Sequence, residues 1–192
     1  MANFTKQAIQ HSFRKLLGER PLNRITVKDI VEDCGINRNS FYYHYQDIPA
    51  LLDEMIKEDF EATVAELSKA ASVEDCLQII LRRALENRPQ VLNIFRSPEK
   101  AVYKRYLMQS CRRLADGYLD KAIAGRPVSP EDRELIAGML RNLVCGYVTE
   151  WLVDGMRPDI LPSAHRLCQL QDGVIELMIQ RACQTPPDER QP

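Results

Sequence analysis

Hydrophobic positions recur at three- and four-residue intervals along most of this chain, and no stretch alternates as a strand would. Ile9, Phe13, Leu16 and Leu17 predict a first helix over residues 5–17, closed by Gly18 and Pro21. Val27, Ile30, Val31 and Cys34 predict a second, short one. Thr26 stands at its N-cap with Asp29 three residues on, an approximate capping box whose acid suits a helix N-terminus. Gly35 stops that helix, because glycine takes the left-handed conformation without steric cost. Asn37 can cap a third helix, whose inner side is Phe41 and Tyr45. Asp47 and Pro49 open a fourth, with Leu51, Leu52, Met55, Ile56, Phe60, Val64 and Leu67 separated by acids. Helices follow from Ser72 to about Asn87, from Ser97 to about Ala124, from Ser129 to about Gly155 and from Ala164 to Cys183, with a short apolar segment at Val91–Phe95. The class is all-α. The pattern predicts an N-terminal three-helix unit with a helix-turn-helix, followed by a longer all-helical region.

The second and third helices, joined by a turn containing Gly35, form that helix-turn-helix. The outer side of the third helix carries Arg38, Asn39, Ser40, Tyr42, Tyr43 and His44: donors and aromatics, no acid. Such a face suits a polyanion. Charge supports the placement. Net charge is −1, but residues 1–46 hold seven Lys/Arg against four Asp/Glu, a local +3 that leaves −4 for the rest. One basic end on an acidic body fits contact with nucleic acid at that end. Arg38 and Asn39 lie at the start of the third helix, where base edges are read; arginine pairs with guanine and asparagine with adenine. Arg14 and Lys15 are further cations within reach of phosphates, or a solvated face.

The run Thr26-x-x-x-Ile30, Cys34-Gly35-Ile36, Phe41-Tyr42-x-His44-Tyr45 and Leu51-Leu52 resembles the DNA-binding domain of TetR-type regulators over about the first 55 residues. The resemblance implies a homodimer on a palindromic double-stranded operator, with Thr26, Lys28, Arg38, Asn39, Ser40, Tyr42, Tyr43 and His44 facing DNA. Tyr42 and His44 would serve the backbone, and Lys28 would supply electrostatic phosphate contact. Many members carry a phosphate-touching Lys near the start of the fourth helix; here that region reads Asp47-Ile48-Pro49. The expected division is residues 1–47 for the reading head, 48–184 for sensing and dimerisation, and a disordered, Pro-rich tail at 185–192.

Aromatic and long side chains in the later helices suggest a ligand pocket lined by Phe95, Tyr103, Leu107, Leu143 and Tyr147, although ordinary core is the alternative for each. Gly138 and Gly146 let a second helix approach closely, since glycine inside a helix costs about 1 kcal/mol relative to alanine and so marks a packing demand. With Leu167, Leu170, Val174, Leu177 and Met178 they make the expected subunit interface; packing within one subunit is the alternative.

Six widely spaced cysteines without a C-x-x-C, and three histidines, predict no metal and no cofactor. Cys111, beside Arg112 and Arg113, is the one thiol with basic neighbours. The polar N-terminus and the absence of an 18-residue apolar run predict a cytoplasmic protein without a membrane span. No nucleophile-plus-base motif or phosphate loop supports an enzyme, so no catalytic residue is assigned. The function expected is a sequence-specific transcription regulator, a repressor released by a small-molecule effector. The alternative is an activator controlled by a partner protein, for which the Arg-rich outer face of Arg105, Arg112 and Arg113 leaves room.

Overall fold

The computed structural model describes residues 2–67, 70 and 72–184. The helices are α1 (Ala2–Glu19), α2 (Val27–Cys34), α3 (Arg38–His44), α4 (Ile48–Leu67), α5 (Val73–Glu86), α6 (Arg88–Phe95), α7 (Lys100–Ala122), α8 (Pro130–Val153), α9 (Ile160–Leu170) and α10 (Val174–Gln184), with a 3-10 turn at Leu22–Arg24. Among the described residues there is no strand. The tail at 185–192, expected to be disordered, lies outside the described residues. Contacts divide the chain into two compact units, Met1–Ala62 with Arg83–Tyr106 and Thr63–Arg82 with Leu107–Pro192.

The first unit is built on one apolar core. Ile9, Phe13 and Leu17 of α1, Ile30 of α2, Phe41 of α3 and Leu51 and Leu52 of α4 are all fully buried in it. Each set repeats at helical spacing, so every helix presents one stripe inward. Ile25 joins the same core from beneath the helix-turn-helix. Helix α1 runs past Gly18, because α6 packs against it there and its side chains bond to α1 carbonyls. Asn93 donates to the Leu17 carbonyl at 2.7 Å and Gln90 to that of Arg14 at 3.0 Å. The last carbonyls of a helix have no partner within it, so the first of these bonds removes an orphan acceptor.

The second unit is organised around α7, α8 and α10. Leu119, Ile136, Ala137, Leu140, Ile179 and Ala182 form a core there. Arg133 of α8 holds Asp120 of α7 through two bonds of 2.9 and 2.7 Å, and Arg126 holds Glu176 of α10 at 2.8 and 2.9 Å. Helix α8 ends on two left-handed residues, Gly155 (φ 80°) and Met156 (φ 57°). A side chain rarely tolerates that region, yet Met156 is fully buried and its amide donates to the Trp151 carbonyl at 2.9 Å. The Trp151 indole in turn donates to the Arg157 carbonyl at 2.8 Å.

One predicted helix is two. The expected element at 164–183 breaks at Gln171–Gly173, where Gly173 takes φ 76° and separates α9 from α10. The apolar repeat continues on both sides of the turn, so periodicity alone conceals the break.

Candidate functional site

Helix α3 is fixed at both ends before it meets anything. Asn37 caps it, its side-chain oxygen accepting from the Ser40 amide at 2.8 Å, and Gly35 delivers the chain to that cap in the left-handed conformation, φ 69°. Phe41 plugs the helix into the core, with the Tyr45 ring 5.9 Å away. Outward, Arg38 and Asn39 are exposed and have no side-chain partner among the described residues. Tyr42 and Tyr43 are 55% and 80% exposed, respectively, so neither is core. Tyr42 leans edge-on against Phe41, and His44, half-buried, against Tyr43 at 5.1 Å.

Two of the expected DNA-facing hydroxyls are already committed. Thr26 donates its only hydroxyl proton to the Asp29 carboxylate at 2.7 Å, while its oxygen accepts from the Asp29 amide at 3.2 Å. Its own amide also goes to Asp29, at 2.8 Å. The capping box is therefore complete and the Thr26 hydroxyl has no proton left for a phosphate. These bonds from Thr26, with the Arg20 guanidinium 3.3 Å away, hold the Asp29 carboxyl below its ordinary range. Ser40 likewise donates its hydroxyl to Asn37, at 3.1 Å. That leaves the Asn37 amide NH2 outward and without a partner among the described residues, a donor the sequence reading missed because it assigned Asn37 only to capping.

The cations of the first 46 residues divide sharply. Lys6 pairs with Glu54, Arg14 with Asp59 at 2.7 Å, Lys15 with Asp33 at 2.5 Å, and Arg20 with Asp29. Among the described residues Lys28 reaches only Glu32, at 3.6 Å with both side chains more than 60% exposed, a pair that solvent and salt screen readily. Arg24 and Arg38 have no acid within pairing distance among the described residues. Arg14 and Lys15 are therefore engaged inside the unit: Glu54 and Asp59 of α4 are the counter-charges of Lys6 and Arg14, and Asp33 of α2 is that of Lys15.

In the second unit a cavity encloses about 430 Å³, open solvent at its mouth included. Val73, Cys76, Leu77 and Ile80 of α5 face it, as do Leu140 and Val144 of α8. The third wall is Cys111, Leu114, Ala115 and Tyr118 of α7. The i, i+3, i+4, i+7 spacing on α5 and α7 is the signal that could have located it. None of the five residues expected to line a pocket lines this one. Phe95 is buried in the first unit with Lys104 over its ring, and Tyr103 is half-buried there, edge-on to Phe60 at 5.3 Å. Leu107 is buried in the second unit, where Leu143 and Tyr147 are half-buried on α8. The Tyr147 hydroxyl is enclosed without a partner among the described residues, and burial pushes its pKa up.

Cys111 lies beside Cys145. That neighbour and burial push the Cys111 thiol up, while Cys145, beside Cys111 and near Arg141, is lowered. Arg112 and Arg113 are exposed and do not act on Cys111.

On α8 and α10, large apolar residues are exposed among polar ones. Leu135 is 70% exposed, and Met139 and Val153 are exposed on the same helix. Of the expected interface residues, Leu170, Val174 and Leu177 are exposed, Leu167 is half-buried, and Met178 packs on the inner core. A side chain at Gly138 would meet Arg141, whereas at Gly146, which is exposed, it would meet nothing within 4 Å.

Among the described residues no helix is long and apolar enough to cross a membrane, and no group of three or more His, Cys, Asp or Glu could hold a metal ion. Residues 9–55 match the family described as bacterial regulatory proteins, tetR family, and residues 71–173 match a transcriptional regulator C-terminal region. The HTH-type dhaKLM operon transcriptional activator DhaS of Lactococcus lactis subsp. lactis (strain IL1403) is 28% identical over 91 residues, 47% of this chain and 49% of that relative. The match thus spans about half the length of the curated relative. A solved structure described as dihydroxyacetone kinase operon activator DhaS superposes with TM-score 0.70 at 21% identity, covering 90% of this chain and 97% of that one. NalD, the secondary repressor of the MexAB-OprM multidrug efflux pump in Pseudomonas aeruginosa, gives TM-score 0.58 at 18% identity, covering 94% and 97%. These structures share the fold.

Proposed function

This chain belongs to the TetR family and is a DNA-binding transcriptional regulator, and we propose that it works as a homodimer whose operator affinity is set by a small molecule in the second unit. The observation that carries the reading is the contrast among its cations. Arg38 stands exposed and unpaired on the capped face of α3, next to Asn39, while Lys6, Arg14, Lys15 and Arg20 are matched to acids within the unit. Base contacts specify and phosphate contacts position. Arg38 and Asn39 are the specifying pair; Lys28, Tyr42, Tyr43, His44 and the Asn37 amide position the helix on the backbone.

Two-fold symmetry doubles the contacts of one short recognition helix on a palindromic site. The open Gly146 and the exposed Leu170, Val174 and Leu177 support α8 and α10 as the surface between subunits. Functionally, residues 1–47 are the reading head and 48–184 the sensing and dimerisation part. Effector in the α5–α7–α8 cavity favours a state with weaker operator affinity, which lifts repression. The decisive experiment is recovery of DNA fragments retained by the purified protein, followed by titration of the enriched duplex and a scrambled one. A common palindrome bound well above the scrambled duplex is expected; equal binding to both would defeat the reading.

A second reading, an activator governed by a partner protein, is favoured by relatives that are described as activators. Arg112 and Arg113 remain exposed on α7 for such a partner, but Arg105 pairs with Asp53. Transcription from the operator-bearing promoter in a purified system separates the two: the proposed repressor lowers output, an activator raises it.

A further inference from the structure

We propose that the cavity between α5, α7 and α8 takes an uncharged, largely apolar small molecule, one with no carboxylate or ammonium on the part that is buried. The inference deepens the sensor reading above, and rests on it only for the link to DNA.

The wall decides the chemistry. Seven of its ten residues are hydrocarbon, two are thiols and one is the phenol of Tyr118. No Lys, Arg, His, Asp or Glu lines it. Several charges on the same helices pair with one another, Arg133 with Asp116 and Asp120, Arg112 with Asp116 and Arg141 with Glu134; Asp75 and Lys121, which act on Cys76, are not part of the wall. Burial pushes Cys76 towards the neutral form, and the neighbouring Cys145 together with burial does the same to Cys111. An ion entering would lose its hydration and meet no counter-charge. A neutral molecule would bury apolar surface and could give one hydrogen bond to Tyr118 at the partly exposed side. The cavity measures about 430 Å³ with the open solvent at its mouth included, so a ligand would be only partly enclosed.

The test uses the full chain and N-phenyl-1-naphthylamine, a neutral dye that brightens in apolar surroundings. Competitors are 4-phenylbutanol, 4-phenylbutyrate and 4-phenylbutylammonium, alike in shape and different in charge. The alcohol should displace the dye at a concentration on the order of 30-fold below either ion. An ion that competes as well as the alcohol, or better, overturns the proposal. Location is read separately by alkylation with N-ethylmaleimide and mass spectrometry. Bound dye should slow labelling of Cys76 and Cys111 and leave that of Cys34 unchanged. Dye binding that protects neither wall thiol also overturns it. Leu140→Trp should fill the space and abolish binding; if that variant fails to fold, the protection measurement on the native chain still decides. Neutral-ligand binding with thiol protection but no change in operator affinity would uphold the cavity's chemistry and sink the sensing mechanism.

Discussion

Helix α3 of the first unit and α10 of the second are both short, and each buries one stripe and exposes another. Their exposed stripes differ in composition. On α3 they are Arg38, Asn39, Tyr42 and Tyr43; on α10 they include Val174 and Leu177. Around α3 the unit has neutralised its own cations with acids, Lys15 by Asp33 and Arg20 by Asp29, so positive charge without a partner is concentrated on few residues. Around α10 polar side chains also pair at the surface, as in Arg126–Glu176, but Val174 and Leu177 are left exposed among them. A surface that keeps donors free suits a polyanion, and one that keeps hydrocarbon free suits another protein surface. The same chain carries both, in separate units.

The contrast breaks most severely if α10 or α8 is charged. Val174→Glu or Gly146→Arg should yield monomers by sedimentation, with operator affinity falling to the non-specific level, roughly a thousandfold or more. Dimers that persist in both variants would place the subunit interface elsewhere. On α3 the effect should be smaller and sequence-dependent. Arg38→Ala should cost about 1–3 kcal/mol on the operator and clearly less on random duplex; an equal loss on both would make Arg38 a phosphate anchor.

Beneath the α3 face, the capping box should matter to folding more than to DNA. Thr26→Ala should destabilise by about 1 kcal/mol in urea unfolding. Asp29 supplies the pH test. Its carboxyl is depressed in the folded state, so its contribution is present above the unfolded pKa and is lost as pH falls through the folded one. Asp29→Asn should therefore flatten the acid limb of stability below about pH 4, and an unchanged limb would show that other carboxylates govern it. The smallest effects separate free from engaged cations. Lys28→Ala should lower the salt slope of binding by roughly one unit. Arg14→Ala, which removes a pair with Asp59, should leave that slope alone and change stability by less than about 1 kcal/mol.

Much of the first unit could be read from sequence because local rules and tertiary packing agree there. Thr26, Gly35 and Asn37 are caps by residue type, and the structure uses each as one. The commitment of the Thr26 and Ser40 hydroxyls could not be read so easily, since a cap and a phosphate contact call for the same residue types and only the direction of a proton distinguishes them. Pairing of Arg14 with Asp59 links residues far apart in sequence, beyond any local pattern. The cavity was hidden for another reason. Aromatic residues such as Tyr103 and Tyr147 attracted the prediction, whereas Val73, Ile80 and Ala115 look like any helical core until the space between them is seen.

The end of α8 carries a consequence for how freely the chain can vary. At Met156 the backbone favours glycine or asparagine while the fully enclosed side chain favours a long hydrocarbon. Glycine would relax the backbone and empty the niche; asparagine would ease the backbone less and bury an amide; leucine would fill the niche and keep the strain. No single replacement meets both demands, so position 156 is a point where substitution tolerance narrows although no ligand, partner or DNA need touch it.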